Sequence, residues 1–317
     1  MQARQVMSYD VIGDIHGHDA LLLALLRKLG YRLHLGAWRH TGRTAVFVGD
    51  FIDRGPGQLE TIRIVRSMLD AGSAQAIMGN HEFNAISWHT PDPESEGLHL
   101  RRRNTKHRQQ HQAFLTETEH SPELHAELVS WFLSLPLWLE LPGVRVVHAC
   151  WDPGSMTAIQ PLLEPGNALN RALVEASSRP GSMEHHAVET LLKGIEVPLP
   201  PGYDFKDKNG DVRRNARVRW WDTSATSFRD APLLSAEIRA QLPDAPIPPW
   251  ARIGYTGDKP VFFGHYWMHG EPQLLATRVA CVDYSAGSGG PLVAYRWDGE
   301  SELSAANFAS VPPGGGG

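Results

Sequence analysis

Apolar residues in this chain fall into short runs that stop at glycine. Tyr9–Ile12 ends at Gly13, residues 45–48 end at Gly49, and residues 76–78 end at Gly79. Runs this short, bounded by a turn-forming residue, predict buried strands. Between the first two, residues 19–28 are dense in leucine and close on Arg27 and Lys28 just before Gly30, which predicts a helix with cations at its C-terminal end. Residues 58–69 repeat the helical pattern between the second and third runs. This alternation predicts an α/β fold whose sheet is largely parallel, at least through the first third.

Beyond residue 83 the pattern turns helical and polar, and residues 84–140 are expected to be an inserted helical, basic cap. Residues 144–147 restore a strand. Residues 152–258 mix helical pieces with prolines, among them Pro198, Pro200, Pro201, Pro243, Pro246, Pro248 and Pro249, and form a second insertion. Residues 261–263 predict another strand, and residues 279–283 and 292–297 two closing strands, expected to form a hairpin across residues 287–291. The anatomy expected is one domain over residues 1–317 carrying two insertions.

Composition narrows the class. With 317 residues, 42% hydrophobic and 21% charged, the chain can build a sizeable core and is not a disordered or fibrous sequence. Its net charge of −5 argues against a general nucleic-acid or membrane surface. Two cysteines cannot make a disulfide framework or a four-cysteine zinc site and suit a reducing compartment. No apolar run approaches the roughly 20 residues of a membrane span, and residues 1–8 lack a hydrophobic signal region, so a cytoplasmic location is expected.

The chemistry sits where the strands end. Five runs stop in small or polar groups: Gly13-Asp14-Ile15-His16-Gly17, Gly49-Asp50-Phe51-Ile52-Asp53-Arg54-Gly55, Gly79-Asn80-His81-Glu82, His148-Ala149-Cys150 and Gly264-His265. In α/β sheets, loops leaving the carboxyl ends of strands bring distant residues to one edge. Asp14, His16, Asp50, Asn80, His148 and His265 then offer two carboxylates, an amide oxygen and three imidazoles, a set suited to Mn, Fe or Zn. Two ions sharing the set, with Asp50 as the candidate bridge, would position a phosphoryl oxygen and generate a hydroxide nucleophile near neutral pH. Arg54 can fork onto phosphate oxygens, and His81 can protonate a leaving oxygen if Asp53 orients its ring.

Taken jointly, G-D-x-H-G, G-D-x-x-D-R-G and G-N-H-E over residues 10–82 resemble the calcineurin-like metallophosphatases, especially the branch of phosphoprotein phosphatases and symmetrical diadenosine tetraphosphate hydrolases. The resemblance implies a four-layer α-β-β-α sandwich of two mixed sheets with an inserted helical cap. It also implies that Asp14 and His16 hold a first metal, Asp50 bridges, Asn80, His148 and His265 hold the second, and His81 with Asp53 is the acid pair. Two ions, Mn²⁺ with Fe or Zn as options, are the implied cofactors. A second phosphate-binding arginine would be Arg217 or Arg219, by similarity to an arginine-rich segment of the diadenosine hydrolases. Departures occur at Ala149-Cys150, where many phosphoprotein phosphatases have Gly-Gly, and at Trp267, where other branches carry a further histidine. Tyr284-Ser285 stands in place of a frequent Thr-Gly pair.

The expected function is hydrolysis of phosphomonoesters or phosphoanhydrides by metal-bound hydroxide. The partner would be a phosphorylated substrate: a phosphoprotein, a nucleotide or a dinucleoside polyphosphate, with a nucleic-acid phosphate left open. The competing class is a non-catalytic metal-binding regulatory protein acting through its basic cap. Bland readings attach to three features. The run Arg101, Arg102, Arg103, Lys106 and Arg108 is expected to be a solvated helical face, Trp220, Trp221 and Trp267 to be core or cap packing, and Cys150 to be an inert buried thiol. The chain has no G-x-x-x-x-G-K-[ST] loop, G-x-G-x-x-G loop, H-E-x-x-H helix or nucleophile elbow, which sets aside kinase, dehydrogenase and protease chemistry.

Overall fold

A computed structural model describes residues 7–206 and 210–314. Its centre is two sheets. The first has five strands in the order Phe308–Val311, Leu292–Trp297, Tyr9–Ile12, Thr44–Phe47 and Ala74–Ala76. The second has four, in the order Val279–Cys281, Val261–Phe263, Val144–Val147 and Trp138–Leu141. Three strands in each sheet run parallel: 9–12, 44–47 and 74–76 in one, 144–147, 261–263 and 279–281 in the other. The remaining strands pair antiparallel at the flanks, so both sheets are mixed.

Alternation along the strands explains the layering. Val11, Val46, Phe262 and Ala280 enter one apolar cluster together with Tyr295 and Trp297, which fills the space between the sheets. Their neighbours Ile12, Ala45, Phe47, Val261, Phe263, Val279 and Cys281 belong to a second cluster on the outer faces, where the helices lie. The central strands are therefore largely apolar on both sides, and their runs read as continuous rather than alternating. Helices α1 (Asp19–Leu29) and α2 (Gln58–Asp70) cover the first sheet. The leucines of α1 (Leu21, Leu22, Leu25, Leu26 and Leu29) are all buried, and Gly30 ends the helix in the left-handed region, its amide donating back to the last turn. The α/β sandwich expected from the sequence is the fold observed.

One expectation changes in detail. Residues 279–283 and 292–297 do not form a hairpin. Val279–Cys281 pairs with Val261–Phe263, whereas Leu292–Trp297 crosses to the other sheet and pairs with Tyr9–Ile12 and Phe308–Val311. The short link over Gly287 passes beside His16 instead of reversing the chain within one sheet. The helical segment after residue 84 is woven into the sandwich: α3 (Asn80–His89) packs on α5 (Pro122–Leu133), α4 (Thr105–Thr118) packs on α2, and Phe114 and Phe132 are fully buried. Its final residues form the edge strand Trp138–Leu141. No helix among the described residues is long and apolar enough to cross a membrane.

Phe262 is completely buried between the sheets, its ring centroid 4.9 Å from that of Tyr295. Phe262→Ala should destabilise the fold by about 3–5 kcal/mol in urea unfolding, from lost burial and the cavity left behind. Leu33→Ala, at a side chain 62% exposed, should stay within about 0.5 kcal/mol of the parent. Equal effects at the two positions would contradict the assigned core.

Candidate dinuclear metal centre

The parallel strands deliver their C-terminal loops to one edge. Asp14 and His16 follow strand 9–12, Asp50 follows 44–47, and Asn80 opens α3 after 74–76. His148 follows 144–147 and His265 follows 261–263 in the second sheet. The loops are stitched together by backbone. The Asp50 carbonyl accepts from the amides of Ile15 at 3.1 Å and His16 at 2.8 Å, and the Gly264 amide donates to the His148 carbonyl at 2.9 Å. A Cβ on Gly264 would run into the Asp14 carboxylate, so only glycine allows that approach. His16, Asp50, Asp53 and His265 all adopt positive φ, a conformation costing roughly 1 kcal/mol or more for such residues and concentrated here at the loops of one site.

Hydrogen bonds set the imidazole tautomers. His16 Nδ1 lies 2.9 Å from the Ile52 carbonyl and His148 Nδ1 lies 2.7 Å from the Val48 carbonyl. A carbonyl only accepts, so both Nδ1 atoms carry the proton and both neutral rings present an Nε2 lone pair. His148 Nε2 faces Asn80 Oδ1 at 3.1 Å and Asp50 Oδ2 at 3.4 Å, and His16 Nε2 faces the same Asp50 oxygen at 3.7 Å. Lone pairs facing lone pairs in a buried site need a cation between them. Like His16 Nε2, Asp14 Oδ1 and His265 Nε2 are buried without any hydrogen-bond partner, which is the same demand stated by two further atoms. The donors fall into two groups, His16–Asp50–His81 and Asp50–His148–His265, each with its ligand atoms within 4.8 Å of one another, and Asp50 belongs to both. The residues present fit a pair of divalent ions.

Negative charge is concentrated around this point. Burial, then Asp283 and Asp50, push the Asp14 carboxyl well above its ordinary range. Burial and the Asp50 charge likewise raise Glu82, to about 7. Glu82 accepts from the amides of Asp50 and Phe51, both at 2.8 Å, and of Gly79 at 2.9 Å, thereby fixing the turn that carries Asp50. Asp283 accepts from the amides of Trp267 at 2.6 Å and Ser285 at 2.9 Å, holding the loop that follows His265.

The expected acid pair meets. His81 Nδ1 lies 2.7 Å from Asp53 Oδ2, and the opposite carboxylate oxygen takes His111 Nδ1 at 2.6 Å. Burial would raise Asp53, but His111 and His81 outweigh it and hold the carboxyl at about 2. Burial would depress His81, and Asp50 with Asp53 outweigh it, so the imidazole sits above its usual value. Arg54 is exposed beside these groups with its guanidinium 5.5 Å from the Trp267 ring centre. Of the two further arginines, Arg217 reaches the site, lining a cavity of about 580 Å³ with His265, Lys193 and Trp250. Arg219 does not join them; it pairs with Asp222 at 3.2 Å and donates to the Asp230 carbonyl.

Sequence reasoning passed over Glu82, Asp283 and His111. Glu82 stood inside a motif already in hand, and Asp283 obeys the strand-end rule that picked out Asp14. His111 had no local signal, because it reaches Asp53 from the middle of a polar helix 58 residues away. Trp220 and Trp221 are core packing as expected, and Cys150 is a buried free thiol whose pKa burial raises.

Residues 7–163 match the family of calcineurin-like phosphoesterases. That segment, just under half of the chain, belongs to the family. Membership implies a dinuclear divalent-metal site, and the two donor groups sharing Asp50 are its candidates. Among curated relatives, an asymmetrical bis(5'-nucleosyl)-tetraphosphatase of Halalkalibacterium halodurans is 46% identical over 76 residues, 24% of this chain and 31% of that protein. The chain thus covers about a third of that relative's length. A symmetrical bis(5'-nucleosyl)-tetraphosphatase of Vibrio cholerae is 26% identical over 307 residues, 95% of this chain and 98% of that protein. Among solved structures, a Saccharomyces cerevisiae protein serine/threonine phosphatase superposes with a TM-score of 0.51 at 16% identity, covering 98% of this chain and 80% of the other, a likeness of fold.

Glu82→Gln keeps the shape of the side chain but offers one acceptor oxygen to three amides. In this calcineurin-like site it should lower affinity for divalent metal by about 10- to 100-fold without unfolding the chain, read by calorimetric titration with Mn²⁺. Unchanged affinity would show that Glu82 does not position Asp50.

Proposed function

We propose that the chain is a dinuclear-metal-dependent phosphoesterase that hydrolyses phosphomonoester or phosphoanhydride bonds. The observation that carries this reading is the set of buried, partnerless ligand atoms around Asp50, with Arg54 and the His81–Asp53 pair at its rim. Asp14, His16 and Asp50 would hold one ion, and Asp50, Asn80, His148 and His265 the other, with Mn²⁺ the proposed metal and Fe or Zn the options. Two ions, when bound, supply Lewis acidity toward the phosphoryl oxygens and lower the pKa of a water. Arg54 clamps the phosphoryl oxygens with a planar fork. His81, oriented by Asp53 and charged above its ordinary pH range, delivers a proton to the leaving oxygen, and His111 keeps the Asp53 carboxylate turned toward it. Arg217 remains the proposed second phosphate ligand.

Of the substrate classes expected, a dinucleoside polyphosphate is favoured by near full-length similarity to the Vibrio cholerae symmetrical tetraphosphatase. The phosphoprotein reading rests on likeness of fold. The regulatory alternative needs a free basic face, and Arg102, Arg103 and Arg108 are engaged within the chain. Two buried free thiols, Cys150 and Cys281, suit a cytoplasmic location.

Purified protein stripped with chelator should not hydrolyse p-nitrophenyl phosphate, and added Mn²⁺ should restore turnover. Asp50→Asn should abolish it, and His81→Ala should lower kcat by about 10²- to 10⁴-fold on an alkyl phosphate, whose leaving oxygen needs a proton, and by less on p-nitrophenyl phosphate. On diadenosine tetraphosphate the product should be nucleoside diphosphate. Preference for phosphopeptides would move the substrate to the phosphoprotein class, and metal-loaded protein inactive on all of these would contradict the hydrolase reading.

A further inference from the structure

The basic run at residues 101–108 is not one surface. Arg102 pairs with Asp92 at 3.5 Å, Arg108 pairs with Glu119 at 2.7 Å, and Arg103 lies over the Trp88 ring while donating to the Trp88 carbonyl at 3.0 Å. Arg101 differs. It is half-buried, its amide is anchored on the Ser87 carbonyl at 3.0 Å, and its terminal nitrogens donate to Asn84 Oδ1 and Gln110 Oε1, both at 2.8 Å. Those acceptors are neutral amides. The guanidinium is thus fixed in direction while, among the described residues, no carboxylate is hydrogen-bonded to it and Asp53 and Glu189 act on it only through space, an arrangement that leaves room for an anion in a partly desolvated site.

Arg101 lines a cavity of about 220 Å³ over His81 and Asp53. Arg54 and Lys193 line it as well. Because the oxygens of Asn84 and Gln110 accept from Arg101, their NH₂ groups are the donors left to this cavity wall. His111, also on the wall and only 3% exposed, turns its Nδ1 to Asp53, so its partnerless Nε2 is a lone pair of the neutral ring and adds no donor. The one carboxylate present, Asp53, is occupied by His81 and His111. A space lined by Arg54, Arg101, Lys193 and two amide NH₂ groups, beside the group that serves the leaving oxygen, suits an anionic leaving group. Lys193, ion-paired with Glu189, also lines the neighbouring 580 Å³ cavity, whose wall mixes Lys193 and Arg217 with Glu189 and Glu196.

We propose that Arg101 binds a second phosphate of the substrate, on the leaving side of the scissile bond, and so selects phosphoanhydrides over phosphomonoesters. The assignment rests on the hydrolase reading above. In the reaction the oxygen of water bonds to phosphorus, the bridging P–O bond breaks with its electron pair on the leaving phosphate, and the water's protons pass to solvent or to the leaving oxygen. An alkoxide leaving group depends on a proton. A leaving phosphate spreads its new charge over several oxygens, which a forked guanidinium held at fixed orientation neutralises without reorganising.

The test compares kcat/KM of the Mn²⁺-loaded full chain on diadenosine tetraphosphate and on p-nitrophenyl phosphate in the parent, Arg101→Ala and Arg101→Lys. Arg101→Ala should lower the anhydride-to-monoester ratio by about 10- to 100-fold, the scale of one lost charge-assisted contact, and Arg101→Lys should restore part of it. Calorimetric titration with methylenebisphosphonate should weaken by a similar factor, and with inorganic phosphate by less. A ratio unchanged within about twofold, or an equal loss on both substrates, would overturn the role of Arg101. Parent protein that carries two metals yet turns over neither substrate would overturn the hydrolase reading first, and this assignment with it.

Discussion

Everything at the sheet edge depends on the electrostatic problem centred on Asp50. Its carboxylate is buried with Asp14, Glu82 and Asp283, and two histidine lone pairs face its Oδ2. A carboxylate in that position is tolerable only where opposite charge is supplied, since an uncompensated buried charge costs several kcal/mol. Glu82 spreads its own charge over three backbone amides, Asp283 over two, and Asp50 Oδ1 accepts the His81 amide at 2.9 Å. What these bonds leave over is a set of atoms with no protein partner, and it is these atoms that call for cations. The strained backbone at His16, Asp50, Asp53 and His265 follows from the same requirement, because the side chains can converge only if the loops turn this sharply.

The scaffold carries that strain through the sandwich. Three parallel strands in each sheet end at one edge, and the apolar fill between the sheets, from Val11 and Val46 on one side to Phe262 and Ala280 on the other, fixes how closely the two sets of loops approach. Asp14 and His265 come from different sheets, yet the His265 amide donates to Asp14 Oδ2 at 2.9 Å. The site is thus a seam between sheets, and it is as rigid as the core beneath it.

The ligand-bearing loops were legible in the sequence because each follows a short apolar run ending in glycine, a local grammar that needs no knowledge of partners. Sheet membership was not. Leu292–Trp297 has the same apolar character whether it returns beside Val279–Cys281 or crosses to Tyr9–Ile12, and only the packing of its Tyr295 on Phe262 and its Trp297 on Tyr9 decides. His111 and Arg101 were hidden for a related reason. They lie in a polar stretch whose local pattern says surface; His111 reaches Asp53 because α4 packs on α2, and Arg101, just before α4, is held by Ser87 and Asn84 of α3, tertiary facts without a local trace. Arg217 and Arg219 were equivalent by spacing, and the side chains separate them: one lines the cleft with His265, the other is tied to Asp222 and Asp230.

The central claim is that Asp50 lies between two cations rather than beside one. Anomalous diffraction from a crystal of the full chain soaked in Mn²⁺ tests it most directly. The account predicts two peaks about 3.5–4 Å apart, one on the Asp14–His16 side and one on the Asn80–His148–His265 side, with the Asp50 carboxylate between them. A single peak, or a pair not shared by Asp50, would contradict it.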